Sequence, residues 1–408
     1  VVVRAQLAIS AAMLPMVGLI TGSAPWSSLP ANLVAGPVIS LLVVPAVLLG
    51  AALLPVAATL AAWALQTADW IVGIMLRWLD WLAMLPSPPP TGSTVALVLA
   101  QAAAVCGLLG PPRGHRLPLL LALVLPFAPP AAGIAHGEYR VTALDVGQGS
   151  AALIDTGGRR LLYDAGPGFA SGFETGSAVV VPSVGATGRA RLDALVLSHW
   201  DLDHVGGAGP VLERLRPRQV FGPAPPPDPQ LAAAVERLGG LRRCDGQHWR
   251  WDGVTFRLLQ VERPANAVDN DSSCILLVDD GRHRTLLAGD IGAAVEGRLL
   301  HVLLAAGALP VRVLFAPHHG SRTSSSPALV RVLRPRLVLV EAGRGNRFGH
   351  PHPDVVRRYR GVGAEVHQTG REGALSWRSA APDRLVRWRL DRAPYWRSRD
   401  CGDGCSSR

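Results

Sequence analysis

The 408-residue chain contains no lysine, so all 40 of its Lys-plus-Arg positions are arginine. A GC-rich genome produces such a bias without any functional cause. Cysteine is scarce as well: of five, Cys106 lies in an apolar run, and Cys244 and Cys274 stand isolated. Cys401 and Cys405 form a C-x3-C in a polar tail, but no second pair is present to complete a cysteine zinc site. A disulfide between those two would require an oxidising compartment. The most telling deficit is charge over residues 1–135, where Arg4, Arg77, Arg113 and Arg116 face only Asp69 and Asp80. Most of the formal net charge of +10 therefore belongs to residues 136–408, with 36 arginines against 28 acids. That balance suits a polyanionic partner such as nucleic acid, and equally a solvated basic surface.

The uncharged half has runs that approach the roughly 20 apolar residues needed to cross a hydrocarbon core. Spans are expected near 5–22, 31–54, 94–110 and 117–134, with Pro37, Pro45 and Pro126 inside them. Neighbouring helices satisfy the carbonyls that such prolines free. Between the spans, "AAWALQTADWIVGIMLRWLDWLAMLP" places Trp63, Trp70, Trp78 and Trp81 at helical spacings, interrupted by Asp69, Arg77 and Asp80. This pattern fits an amphipathic helix in the membrane interface, and a fifth full span is its alternative. A signal peptide does not account for this half, because the apolar content runs through four or more segments. The chain begins at "VVVRAQL" without an initiator Met, and we expect it to be N-terminally incomplete. Arg113 and Arg116, in a short loop between the last two spans, mark that loop as cytoplasmic. One further crossing then leaves the soluble half on the extracytoplasmic side of the plasma (inner) membrane. The expected domains are 1–135 (transmembrane), 136–385 and a polar tail, 386–408.

From Tyr139 onward short β runs alternate with Gly, Asp and helical windows. "YRVTALDVGQGSAALIDTGGRRLLYDAG" reads as three strands, the last two joined by a Gly-Gly hairpin. "ALVLS", "VTFRLLQV", "SCILLVDD", "RTLLAGD", "VRVLFAP" and "PRLVLVEAG" read as further strands, several apolar throughout, as where both sheet faces are covered. "GPVLERLRP" and "PQLAAAVERLGG" read as helices. The order predicts sheets sandwiched between helices. Asp164, His199, Asp290 and the pair His318–His319 all follow strand ends, the rim where reactive side chains converge in α/β folds.

The densest cluster is "LSHWDLDHVGG", which holds His199, Asp201, Asp203 and His204 on one tight loop. Carboxylates so crowded raise one another's pKa unless a cation relieves the repulsion. The alternation divides them between two divalent ions: His199 and Asp201 one way, Asp203 and His204 the other. Asp290 would bridge, and His318 or His319 would complete the second ion. Such a pair can activate water and polarise a phosphoryl oxygen. Arg344 and Arg347, on the Gly-rich "GRGNRFGHPHPDV", suit phosphate, and His350 could protonate a leaving oxygen; a structural strut is the alternative for His350. Arg322 in "HHGSRTSSS" suits phosphate too, or belongs to a mobile polar loop. His248, His283 and His301 read as surface or packing residues.

With these residues in place, the segment resembles the metallo-β-lactamase fold, an αββα sandwich whose signature is H-x-H-x-D-H; Asp201 stands where the second histidine is usual. That variant, with "LDVGQGS", "AGD", "PHHGS" and "NRFGHPHPDV", resembles the ComEC family of bacterial competence channels for DNA uptake. "RAQLAISAAMLPM" and "PANLVAGPVISLLVVPAVLLG" are similar to the last part of that family's membrane domain. The resemblance implies an all-α transmembrane bundle followed by a metal-dependent nuclease domain that degrades the strand not imported. It also implies two Zn or Mn ions, membrane lipid and other DNA-uptake proteins as partners, and Asp164 as the residue orienting the ligand loop. Two departures stand out. Ser150 replaces the Asp that often follows "GQG", and no histidine supplies the usual third ligand of the first ion, where "NDSSC" (Asn270 to Cys274) falls. A carboxylate-rich set makes Mn²⁺ as suitable as Zn²⁺. Two alternatives stay open: a membrane-anchored hydrolase of another ester or phosphodiester, and a non-catalytic DNA-guiding module.

Overall fold

The computed structural model describes residues 27–83, 133–186, 192–259, 261 and 269–391. The chain divides into two compact units, residues 1–131 with 182–190, and residues 132–181 with 191–408.

In the first unit, α1 (Ser28–Val38) runs through a wide π-type turn, Ile39–Val43, into α2 (Val44–Leu53). Pro45 has no N–H for the carbonyl four residues back, and its ring crowds that carbonyl, so the helix opens where Leu41 sits. The span expected near 31–54 corresponds to the apolar helix Pro30–Leu53. A short turn leads to α3 (Ala58–Ala83), whose 26 residues are long and apolar enough to cross a membrane. The interfacial tryptophan helix of the sequence reading is thus one arm of a helical hairpin. Its rise of about 39 Å exceeds the hydrocarbon thickness. The arms meet through small residues: a Cβ on Gly50 would lie 2.8 Å from Leu65 Cγ and 3.3 Å from the Ala61 carbonyl. Expected spans 94–110 and 5–22, most of 117–134, Arg113, Arg116 and the Cys401–Cys405 pair lie outside the described residues.

The second unit holds two sheets. The first comprises β1 (Arg140–Ala143), β2 (Ala152–Asp155), β3 (Arg160–Tyr163), β4 (Ala194–Val196), β5 (Gln219–Gly222), β6 (Leu241–Arg243), β14 (Leu375–Arg378) and β15 (Leu385–Arg387), in the order 15-14-1-2-3-4-5-6. The second comprises β7 (His248–Trp251), β8 (Val254–Leu259), β9 (Ile275–Asp279), β10 (Arg284–Leu287), β11 (Val313–Phe315), β12 (Leu337–Val340) and β13 (Glu365–Gln368), ordered 13-12-11-10-9-8-7. Each sheet is antiparallel on one side and parallel on the other, β3 to β6 and β10 to β13 being parallel. The Gly157–Gly158 turn joins antiparallel β2 and β3, as the sequence predicts.

The main core lies between the sheets, with Ile154, Tyr163, Val196 and Phe221 of one in a common cluster with Phe256, Leu276, Leu287 and Leu339 of the other. A second core joins the outer face of the second sheet to α7 (Ala293–Ala305), α8 (Pro327–Leu333) and α9 (Pro353–Gly361). On the first sheet, α4 (Leu202–Val205), α5 (Ala208–Leu215) and α6 (Pro229–Glu236) make the crossovers between its parallel strands. The result is the expected αββα sandwich.

Two expectations change. Cys244 and Cys274 are not isolated: they form a disulfide with a Cα–Cα distance of 5.8 Å. Thirty positions apart in sequence, they meet because Cys244 follows β6 and Cys274 precedes β9, in the layer between the sheets. Nor does the folded unit stop at residue 385. β15 pairs antiparallel with β14, a helix Trp388–Asp391 follows, and Arg389 bonds Asp145 and the Gly370 carbonyl.

Candidate metal centre

Parallel strands aim their C-terminal ends at one rim, and there the reactive side chains emerge. Asp164 follows β3, His199 follows β4, Asp290 follows β10, His318 and His319 follow β11, and Glu341 follows β12. After His199 the chain turns into α4, which carries Asp203 and His204. His318 and His319 both adopt left-handed backbone (φ 51° and 53°), a sparsely populated conformation that local packing has to maintain.

The structure brings five of the expected ligands together. His199, His204 and Asp290 form one group of convergent ligand atoms, and Asp203, His204 and His319 form another. His204 Nε2 lies 3.2 Å from Asp290 Oδ1 and 3.2 Å from His319 Nε2. His319 Nε2 lies 3.3 Å from Asp203 Oδ2 and 3.5 Å from Asp290 Oδ2. Two other residues stand further out. Asp201 is about half exposed, with Oδ2 3.5 Å from His199 Nε2, and His318 Nε2 is 3.7 Å from Asp290 Oδ2.

Asp164 is fully buried behind this group, and its Oδ2 sits 2.7 Å from His204 Nδ1. The Ser198 N–H and hydroxyl also donate to Asp164, at 2.7 and 2.8 Å. A carboxylate on Nδ1 fixes the tautomer that leaves the Nε2 lone pair free.

The charges are strongly coupled. Burial alone would lower His204, but Asp290 and Asp164 hold it well above the usual imidazole range. Burial would raise Asp290, yet His319 and His204 keep it well below the usual carboxylate range. The same opposition raises His319 beside Asp290 and lowers Asp203 beside His319.

The donor set fits a divalent cation. His199 Nε2 is buried without a hydrogen-bond partner. His204 and His319 turn ring nitrogens toward each other, although only one of two such atoms can donate. Ligands about 2.0–2.1 Å from a tetrahedral ion stand about 3.3 Å from one another, close to the separations seen here.

The remaining expected residues lie on the adjoining loops. Arg322, Arg344 and Arg347 are exposed. The His350 ring centre is 5.9 Å from that of His318. Burial, with His319 and His318 nearby, pushes His350 down to about 4, so at neutral pH it offers hydrogen bonds rather than a resident proton. The Ser/Thr run after His319 is braced: Glu296 accepts from the N–H groups of Ser325 and Ser326, and Tyr359 donates to Ser325 Oγ at 2.8 Å. His248 and His301 are exposed, and His283 packs near the Trp377 ring, 6.0 Å between centres.

Some contributors were missed in the sequence. Ser273, in the block without the third histidine, stands 3.4 Å from His199 Nδ1 and accepts from the Asp290 N–H at 3.1 Å. Glu341 accepts from the Ser150 hydroxyl at 2.7 Å and the Ala151 N–H at 3.1 Å, while the Ser150 N–H bonds the Asp203 carbonyl. The carboxylate that the loop lacks at position 150 thus arrives from β12. Glu341 follows a strand end just as Asp164 and Asp290 do, and that signal was available.

Residues 144–340 match the family model of the Metallo-beta-lactamase superfamily, and residues 1–114 match that of the Competence protein. The sheet unit is therefore a metallo-β-lactamase-type domain, and a competence-protein module precedes it. "Competence protein ComA" of Neisseria gonorrhoeae is 35% identical over 92% of this chain and 51% of its own length. "Recombination protein 2" of Haemophilus influenzae is 33% identical over 59% of this chain and 29% of its own, and "ComE operon protein 3" of Bacillus subtilis 29% identical over 59% and 33%. Both modules are thus matched on one chain, in the order competence-protein module then metallo-β-lactamase-type domain. The chain spans about half the length of the first of these relatives and about a third of the others.

Proposed function

We propose that this chain is a membrane component of DNA uptake in natural transformation, and that its rim centre is a metal-dependent phosphodiesterase that degrades the strand not imported. The observation that carries this reading is the convergence of His199, Asp203, His204, Asp290 and His319 on one rim. The names of the relatives, competence and recombination proteins, support the biological setting.

Asp203, His204 and His319 would hold one ion, His199 and the more exposed Asp201 the other, and Asp290 would serve both. His318 stands by as an alternative to His319. Zn²⁺ or Mn²⁺ bound there would supply Lewis-acid stabilisation and an activated water. Asp164 and Ser198 hold the His204 ring in register. Arg322, Arg344 and Arg347 would receive phosphate oxygens on the open side of the site, and His350 would hydrogen-bond the substrate. With fewer donors around it, an ion at His199 and Asp201 would be held more weakly than one at Asp203, His204 and His319. The Cys244–Cys274 disulfide supports an extracytoplasmic position for this unit, since disulfides persist in oxidising compartments.

The test is cleavage of end-labelled DNA by the full chain in Mn²⁺ or Zn²⁺. Asp203→Ala and Asp290→Ala should each lower the rate by at least about 100-fold, as expected when charge stabilisation at the reacting centre is removed. Unchanged cleavage in either variant rejects the assignment. Faster turnover of a small phosphodiester than of DNA would instead favour a membrane-anchored hydrolase of another substrate.

A further inference from the structure

Phe348 is 53% exposed, at the tip of the loop that joins β12 to α9. A lone exposed apolar side chain is ordinary. This one belongs to a stack: the Arg347 guanidinium lies over its ring, 4.8 Å from the centre, and the His350 ring is nearly parallel to it (14°) at 5.8 Å. His350 in turn meets His318. The loop that presents the stack is braced. Asn346 Nδ2 donates to the carbonyls of Gly343 and His350 at 2.9 and 2.6 Å, and the His350 N–H donates to Asn346 Oδ1 at 3.0 Å. The His352 N–H, bonded to the Gly320 carbonyl, ties the loop to the turn carrying His318 and His319.

A second aromatic pair occurs on another loop of the same unit. Phe169 and Phe173 are 53% and 54% exposed, with ring centres 5.8 Å apart, on a tight turn closed by the Phe169 N–H and the Phe173 carbonyl. The preceding Gly168 lies directly against Gly206, at the end of the helix that carries Asp203 and His204. Both aromatic groups are thus borne by loops that touch ligand-bearing turns, and arginines accompany one of them.

Aromatic faces beside phosphate-binding cations are what an unpaired strand uses, because every base has a π-face. In a duplex those faces are already stacked inside the helix. We propose that Phe348, with Arg347 over its ring, is a stacking platform for an unpaired nucleobase on a loop tied to the turn of His318 and His319, and that Phe169 and Phe173 form a second. This rests on the phosphodiesterase reading and assigns residues that would hold its substrate's bases.

The test is a binding titration of the full chain in chelator, by fluorescence anisotropy. The probes are a short oligothymidylate, the same strand with abasic sites, and a duplex of equal length. Wild type should prefer the oligothymidylate to both others. Phe348→Ala should weaken its binding on the order of tenfold, Phe348→Trp should restore it, and Phe169→Ala/Phe173→Ala should give a loss of similar order. Abasic strands should bind Phe348→Ala and wild type alike. Equal affinity for duplex and single strand, or an equal loss of abasic and normal strand in Phe348→Ala, overturns the proposal. Base-dependent binding through Phe348, with no wild-type cleavage on adding Mn²⁺ or Zn²⁺, supports the platform while rejecting the phosphodiesterase.

Discussion

The helical hairpin and the sheet unit sort their side chains in opposite senses. In the hairpin the large apolar residues face outward, with Leu41 71%, Val56 80% and Trp70 66% exposed, while Ala61 and Ala68 are buried and Gly50 abuts the other arm. In the sheet unit Leu287, Phe256 and Tyr163 are buried, and most outward positions are polar or charged. One rule explains both once the solvents differ. In water, burying large apolar side chains drives folding. In lipid that drive vanishes, and close backbone contact through small residues takes its place. The sheet unit also buries charge, and does so most densely where strand ends from two sheets converge.

The largest effect that would sharpen this contrast comes from one substitution made in each region. Leu287→Ala should destabilise the sheet unit by about 2–5 kcal/mol, the range for emptied core sites. Leu41→Ala should leave the hairpin nearly unchanged. Calorimetry of the detergent-solubilised chain checks both, and comparable losses would break the comparison. Gly50→Leu should reverse the asymmetry by overpacking the hairpin crossing, at a cost of about 1–3 kcal/mol. Its readout is a lower melting transition for the helices, with that of the sheet unit unmoved.

A subtler effect concerns Glu341, which burial pushes up to about 7. Below its ordinary value, 4.5, the carboxyl is protonated in both folded and unfolded chains, so stability does not depend on it. Between 4.5 and about 7 the unfolded chain gives up its proton first, and stability falls as pH rises. Above that window the dependence levels off. Glu341→Gln should remove this decline in urea unfolding measured across the pH range, and an unchanged profile would show that Glu341 is not its source.

How much of this was legible depended on whether the signal was local. The strand ends at Asp164, His199, Asp290 and His319 could be read because each follows an apolar run directly. The cluster in "LSHWDLDHVGG" was equally local, but its alternation does not separate the side chains as expected: His204 joins both the group with His199 and the group with Asp203. The Cys244–Cys274 bridge could not be read, since it depends on the edge strand β6 of one sheet meeting the start of the interior strand β9 of the other across the core. Glu341 carried the same local strand-end signal, but its bond to Ser150, 191 positions away, could not be read. The tryptophan helix reads as interfacial from its spaced indoles and charges, whereas its pairing through Gly50 and Ala61 is tertiary.

The central claim is that charges gathered at the strand ends coexist around bound cations. Equilibrium dialysis of the full chain against Mn²⁺ and Zn²⁺ tests it most directly. The account predicts saturable binding of up to two ions per chain, abolished in Asp290→Ala and weakened about 10- to 100-fold in Asp164→Asn, the usual cost of losing a ligand's supporting hydrogen bond. A wild-type chain that binds no ion, or an Asp290→Ala chain that binds as many, would contradict it.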